Sequence, residues 1–419
     1  MGSLKYRKIV DQILKYIDDT EIIAIHGSRQ VGKTSVMHYI IDNHIAKKAI
    51  GSNILYMDLE DFALLDICNR GTDEVIKYIK SKGADLTKRV YLLIDEVQYL
   101  ENPSSFLKLF HDRYKENVKL IVSGSSSFLI KKKFKDSLVG RTIDFELFTL
   151  DFKEFLEFKG LSYDLAYPAE AIYRELLPLY EEFIIYGGYP AIVLEEDAAK
   201  KETKLKQIIN TYIKKDIRDV GSIRDINKFN NLLRILAAQS GSLVNMAELS
   251  NTVGISKNTI DEYIFIMEST YIVRRVPPFH KNIRNELTKM PKMFFEDTGM
   301  LNILINTTFS KVVTGMLFET GMYSLLRKNI NLENIYFWRT IKGHEIDFVL
   351  NFPAENKLVP LEIKLNYSKK YLTSVNYFLE KYSLKKAFFC SLNKKEAADT
   401  ENISVIFPWD IYSIEDFIH

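Results

Sequence analysis

The stretch that most constrains this chain is Gly27-Ser28-Arg29-Gln30-Val31-Gly32-Lys33-Thr34. It fits the P-loop pattern Gly-x-x-x-x-Gly-Lys-Thr and stands in the context that pattern needs. The apolar run Ile22-Ile23-Ala24-Ile25 ahead of it reads as a buried parallel strand. Ser35 and the apolar residues behind it open a helix. Gly27 and Gly32 let the backbone turn and bring its N–H groups onto phosphate oxygens. The helix N-terminus adds its dipole and unpaired donors. Lys33 then reaches the β- and γ-phosphates, and Thr34 offers its hydroxyl to Mg²⁺. The octet and Ser35 are therefore the expected contacts to ATP. The rest of the chain is read for what a nucleotide-hydrolysing core requires.

Asn53-Ile54-Leu55-Tyr56-Met57-Asp58 reads as a second strand. Val90-Tyr91-Leu92-Leu93-Ile94-Asp95-Glu96 is an apolar run closed by two acids, the form of a Walker B strand. Asp95 is expected to hold Mg²⁺ through water and Glu96 to polarise the attacking water. Val118-Lys119-Leu120-Ile121-Val122-Ser123-Gly124 is a further strand. It matches the sensor strand that lies between the P-loop and Walker B strands in ATPases using a catalytic glutamate. Ser125 is the expected γ-phosphate sensor; the alternative is an ordinary Gly-Ser turn. The lysine-rich run at 131–135 reads as a solvated loop; nucleic-acid contact is the other reading. Arg141, before a strand at 142–148, is either an arginine finger acting on a neighbour's nucleotide or a surface ion-pair residue. The first option implies a homo-oligomer.

Composition narrows the rest. A net charge of +2 means that a nucleic-acid role needs local basic patches. Hydrophobic residues make up 47% of the chain, so each of the domains expected from its length can bury a core. Cys68 and Cys390 stand far apart, which fits a reducing compartment and neither zinc nor disulfides. No apolar run reaches membrane-span length and no signal peptide is evident. Met1-Gly2-Ser3 opens like a myristoylation site, but Tyr6 occupies the position that wants Ser or Thr. The expected compartment is the cytoplasm, with no membrane partner.

The P-loop octet, Asp95-Glu96-Val97-Gln98, Gly124-Ser125-Ser126-Ser127, Leu138-Val139-Gly140-Arg141 and Tyr186-Gly187-Gly188-Tyr189-Pro190 together resemble the AAA-type ATPases of archaea and bacteria that carry a DUF4143 C-terminal region. The resemblance covers essentially the whole chain. It implies an additional-strand, catalytic-glutamate P-loop core, a helical lid, a winged helix and a C-terminal nuclease-like fold. The turn at 186–190 resembles the nucleotide-base contact of related ATPases; the alternative is a helix-breaking hinge.

Residues 151–225 are helix-rich, and the pattern changes after them. Residues 245–267 read as helix, tight turn at Gly254, and a second helix capped by Ser256. Residues 271–276 follow as a wing strand, which makes a winged helix-turn-helix. Lys257 and Asn258 stand where a recognition helix would meet DNA; internal packing is the other reading.

In the C-terminal region Glu319 falls on a helix, Asp347 on a strand, and Glu362 and Lys364 on the next strand. Alternation places Glu362 and Lys364 on one face. Acids from adjacent strands share a hard divalent cation, and a lysine positions water. The set resembles a PD-(D/E)xK nuclease site, with Asp347, Glu362 and Lys364 as the core and Glu319 as the leading acid. Mg²⁺ or Mn²⁺ would bind through Glu319, Asp347 and Glu362. Trp338 and Arg339 either grip nucleic acid or pack.

The expected architecture is α/β: a P-loop ATPase core over 1–150, a helical lid over 151–225, a winged helix over 226–305, and a mixed α/β nuclease-like domain over 306–419. The expected activity is ATP hydrolysis joined to metal-dependent nuclease action on DNA. The alternative is a non-nucleolytic ATPase switch or scaffold whose C-terminal fold binds a partner or DNA.

Overall fold

A computed structural model describes residues 4–124, 138–165, 170–212, 223, 225–280, 290–306, 309–393, 401–414 and 417. Ser125, the lysine run at 131–135 and the segment 213–216 lie outside them. The chain forms two compact units. One holds the described residues up to Phe148 together with Ser269–Tyr271, and the other holds the rest.

The first unit is built on five parallel strands: β1 (Ile22–His26), β2 (Ile54–Asp58), β3 (Val90–Asp95), β4 (Val118–Gly124) and β5 (Thr142–Glu146). Their order is β2-β3-β4-β1-β5. A parallel sheet is covered on both faces by its crossover helices, so its central strands must be apolar on both sides. β1, β3 and β4 are buried at every position, whereas the edge strands β2 and β5 are half-buried. β4 lies between the P-loop strand and the Walker B strand, the place expected of the sensor strand. The covering helices include Lys33–Asn43, Phe62–Asn69, Thr72–Ser81 and Pro103–Tyr114. Val75, Ile79, Leu92, Leu107, Phe110 and Leu120 form much of the core between them.

A short helix, Ile9–Leu14, precedes β1. Side-chain bonds hold the chain on either side of it. The Lys119 ammonium, fully buried on β4, donates to the carbonyls of Tyr16, Asp19 and Glu21 at 2.6, 3.0 and 2.7 Å. Those carbonyls are satisfied without helical continuation.

The second unit begins with helices. Phe152–Phe158 starts at a capping box in which Glu154 N donates to Asp151 Oδ1 at 2.9 Å. Glu170–Tyr186 runs to the turn at Gly187-Gly188. That turn is a packed joint with a structural role of its own. Gly187 has φ +75°, and a Cβ there would lie 2.1 Å from Asp297 Oδ1. Gly188 N donates to Asp297 Oδ2 at 2.8 Å, and Gly188 O accepts from Leu150 N at 2.7 Å. Asp297 also caps the helix Thr298–Ile305 through the amides of Gly299 and Met300.

The helix Ile226–Ala238 packs Phe229 against Tyr263 at 5.3 Å between rings. Met246–Val253 is capped by Asn245 and closed by Gly254 at φ +70°. The helix Lys257–Ser269 starts where Thr259 N donates to Ser256 Oγ at 3.2 Å. β6 (Val273–Val276) and β7 (Lys292–Phe295) pair antiparallel behind this helix-turn-helix. The helix Gly315–Asn329 then leads to a mixed sheet of β8 (Ile335–Arg339), β9 (Glu345–Phe352), β10 (Lys357–Ile363), β11 (Ala387–Cys390) and β12 (Ile403–Ile406). Its order is β12-β11-β10-β9-β8. The pairs β8–β9 and β9–β10 are antiparallel; β10–β11 and β11–β12 are parallel. Among the described residues, no helix is long and apolar enough to cross a membrane.

Candidate functional site

The P-loop bridges the carboxyl end of β1 and the helix Lys33–Asn43. Gly27 has no room for a side chain, because a Cβ would meet Leu147 O at 2.1 Å. Gly32 has φ +99° and caps the helix from the left-handed region, where only glycine sits without strain. Val31 is fully buried beneath the loop and Ser28 is buried with it. Gln30 is exposed, with φ 64°. Arg29 hydrogen-bonds the Tyr99 hydroxyl, which also donates to Glu60 Oε1 at 3.4 Å. Lys33 points into the loop, and its Nζ donates to the carbonyls of Gly27 and Ser28 at 3.0 Å each. Thr34 and Ser35 face outward on the first helical turn.

Asp95 ends β3 beside this turn and is 2% exposed. Its Oδ2 accepts from Thr34 Oγ1 at 2.5 Å and from Tyr56 Oη at 2.8 Å. Its Oδ1 accepts from Ser123 Oγ on β4 and from Glu96 N at 3.0 Å. Hydroxyls from three elements therefore converge on one carboxylate. Hard oxygen donors of this kind suit Mg²⁺, so Thr34 and Asp95 fit the expected ion. Glu96 has φ 57°, which turns it out of the strand, and its Oε2 accepts from Gln98 Nε2. Arg7 braces the loop from below. Its Nη1 donates to Val31 O and its Nη2 to Phe148 O, both at 2.9 Å.

Arg141 lies on the surface of the same unit. Its Nε and Nη2 bind the two oxygens of Asp112 at 2.7 and 3.3 Å, and the arginine's hydrogen bond holds the Asp112 carboxyl below its usual range. The ion-pair option is thus realised within the chain.

The second candidate site is in the other unit. Glu319, Asp347, Glu362 and Lys364 do come together, but two residues not foreseen from the sequence join them. The Lys292 ammonium, on β7, lies 2.7 Å from Glu345 Oε1, 3.1 Å from Glu319 Oε1 and 3.9 Å from Asp347 Oδ1. The Lys364 ammonium lies 2.5 Å from Asp347 Oδ2 and 2.8 Å from Glu362 Oε1. Ile363 N donates to Asp347 Oδ2 at 2.8 Å. Burial, then the neighbouring Asp347, pushes Glu362 up to about 8 and Glu319 up to about 7. Burial opposes the charge on both lysines, but the surrounding carboxylates outweigh it and hold their pKa above the ordinary value.

This arrangement does not fit the metal set expected from Glu319, Asp347 and Glu362. Among the described residues, no three His, Cys, Asp or Glu side chains form a metal-holding group. Lysine ammoniums stand between the carboxylates, and Asp347 and Glu362 are each about one-twentieth exposed. Trp338 packs: it is 1% exposed, and its Nε1 donates to Tyr382 Oη at 3.1 Å. Arg339 lies 3.7 Å from Glu345 Oε2.

Comparison with known proteins matches separate stretches of the chain to family models. Residues 19–156 match the family described as AAA domain. Residues 314–412 match the domain of unknown function DUF4143. The chain carries an AAA domain and a DUF4143 region. Residues 177–311, between them, match a further domain of unknown function, DUF8612. An uncharacterised protein of Methanocaldococcus jannaschii is 27% identical over 357 residues, 84% of this chain and 76% of its own. One of Haemophilus influenzae is 26% identical over 389 residues, 88% of this chain and 92% of its own. Among solved structures, a Walker-type ATPase of Pyrococcus abyssi shares 13% identity at a TM-score of 0.49, covering 72% of this chain and 96% of that one. The AAA domain contains the P-loop, Asp95 and Glu96. The DUF4143 region contains all four clustered acids and Lys364, whereas Lys292 comes from the DUF8612 stretch. In that stretch Lys257 and Asn258 are exposed at the start of their helix, next to Asp261 and Glu262. Asp261 is held by Arg275 at 2.7 Å.

Proposed function

We propose that the AAA domain binds MgATP and hydrolyses its γ-phosphate. The observation that carries this is the meeting of Thr34 Oγ1 and Asp95 Oδ2 at 2.5 Å beside a loop whose lysine points inward. Lys33 is the residue that would leave the loop carbonyls for the β- and γ-phosphate oxygens. Thr34 and Asp95 would hold Mg²⁺, which when bound neutralises charge across those phosphates. Glu96 accepts a hydrogen bond from the attacking water and orients it, once its carboxylate exchanges Gln98 for that water. The test is a pair of variants. Lys33→Ala should lose nucleotide binding. Glu96→Gln should keep binding and lose turnover, and equal turnover in wild type and Glu96→Gln would sink the assignment.

For the DUF4143 region we infer the non-nucleolytic alternative: a fold that binds and does not cut. The burial of Asp347 and Glu362 supports it, because a phosphodiester must reach the acids that act on it. DNA is the partner we propose for the helix-turn-helix, through Lys257 and Asn258. Incubation of the full chain with Mg²⁺ or Mn²⁺ and linear, single-stranded or branched DNA should leave the DNA intact. Cleavage lost in Asp347→Asn would restore the nuclease reading.

A further inference from the structure

The buried Asp347 and Glu362 and the half-buried Glu319 and Glu345 form a group of acids that needs cations nearby. Lys364 supplies one from the residue just after β10. Lys292 supplies the other from outside the sheet of β10, as the first residue of β7. Its ammonium contacts the helix acid Glu319 and both β9 acids, at 2.7 to 3.9 Å. The lysine has little freedom to leave. It is 4% exposed, and its Nζ lies 5.6 Å from the centre of the Phe337 ring.

The backbone around it forms a wall over Glu319. Lys292 bridges to Leu243, Met293 N donates to Ser242 O at 3.2 Å, and Gly241 N donates to Met293 O at 2.7 Å. A Cβ on Gly241 would lie 3.4 Å from the Glu319 carboxylate. Ser240 Oγ is 2.9 Å from Thr320 Oγ1 on the next residue of the same helix. The loop at 240–244 and β7 thus cover the cluster together.

We propose that Lys292 is the resident cation of this constellation, standing in for a divalent ion, and that the acids latch β7 of the DUF8612 stretch onto the DUF4143 sheet. An ammonium has three donors and no open coordination position, so it satisfies carboxylates without activating a water. The latch rests on the non-nucleolytic reading above and explains it.

The probe is Mn²⁺ alone, followed by calorimetry and electron paramagnetic resonance on the full chain. An Asp95→Asn background silences the nucleotide site. With Lys292 present, millimolar Mn²⁺ should show no binding that depends on Asp347. Lys292→Met should bind Mn²⁺ about tenfold more tightly or better, and its melting temperature should rise with Mn²⁺. Lys292→Arg keeps a cation and should bind no Mn²⁺. Binding by the Lys292 chain that Asp347→Asn abolishes would overturn the proposal, and so would a folded Lys292→Met chain that gains no affinity. Should Lys292→Met fail to fold, the Lys292 chain and Lys292→Arg still decide. Asp347-dependent Mn²⁺ binding by the Lys292 chain, without DNA cleavage, refutes the resident cation alone. Cleavage lost in Asp347→Asn refutes the non-nucleolytic reading on which it rests.

Discussion

Replacing Arg7 tests whether the P-loop depends on a residue outside its own motif. Arg7 is 5% exposed and donates to Val31 O and Phe148 O, both at 2.9 Å. Arg7→Met keeps much of the apolar stem and removes both charged donors. Each hydrogen bond from a charged group contributes about 1.5–3 kcal/mol, and relief of the buried charge offsets part of the loss. The net cost is about 3 kcal/mol. For a unit of this size that lowers melting by roughly 6–12 °C. The assay is differential scanning calorimetry of the full chain, following the transition that MgATP raises. A Val31 carbonyl released from its brace should also loosen the loop, with KM for ATP rising about tenfold, near 1.4 kcal/mol. Arg7→Lys should lie between the two chains, because it retains charge but not the two-pronged donor. An unshifted transition together with an unchanged KM would refute the bracing argument.

Tyr56→Phe removes one of the hydroxyls on Asp95 Oδ2, so the Mg²⁺ concentration for half-maximal ATP turnover should rise about threefold; an unchanged Mg²⁺ titration counts against this. Asp297→Ala strips the amides of Gly188, Gly299 and Met300 of their acceptor and should cost about 3 kcal/mol, read by calorimetry as a lower transition for the second unit. Arg141→Ala breaks a surface ion pair, so the melting temperature should scarcely move and ATP turnover should stay the same. A loss of turnover that deepens on dilution would instead assign Arg141 to a neighbour's nucleotide. Replacing Lys257 and Asn258 with Glu should weaken duplex binding and flatten its salt dependence, measured by fluorescence anisotropy across a salt series.

The parts legible in the sequence were those written locally. The P-loop declares itself within eight residues because its contacts are mostly backbone amides held by two glycines and a helix start. β1, β3 and β4 were legible because strands buried on both faces read as unbroken apolar runs. Glycine at 254 and serine at 256 marked the helix-turn-helix for the same local reason. What escaped was set by partners far along the chain. Tyr56 looks like any strand tyrosine until it meets Asp95, and Arg7 looks like a helix-flanking cation until it meets Val31. Gly187 and Gly188 read as a nucleotide-base contact or a hinge; their close packing on Asp297, 109 residues from Gly188, is not written in the local sequence.

The two candidate sites differ in how much a motif can promise. In the AAA domain the residues that would touch ATP or its Mg²⁺ lie within the octet or at the end of β3, separated from β1 by β4 alone. Pattern and chemistry coincide there. In the DUF4143 region strand alternation does bring Glu362 and Lys364 to one face, and β9 does deliver Asp347 beside them. Acids alone, however, state a need for positive charge and not its source. A divalent ion and a buried ammonium both meet that need, and only the ion brings an activated water. The choice lies with residue 292, outside the region that holds the acids. An apolar side chain at that position would leave Glu319, Glu345 and Asp347 to recruit a cation from solution. Lysine there closes the site from within, so one residue of β7 decides whether the same carboxylates favour catalysis or packing.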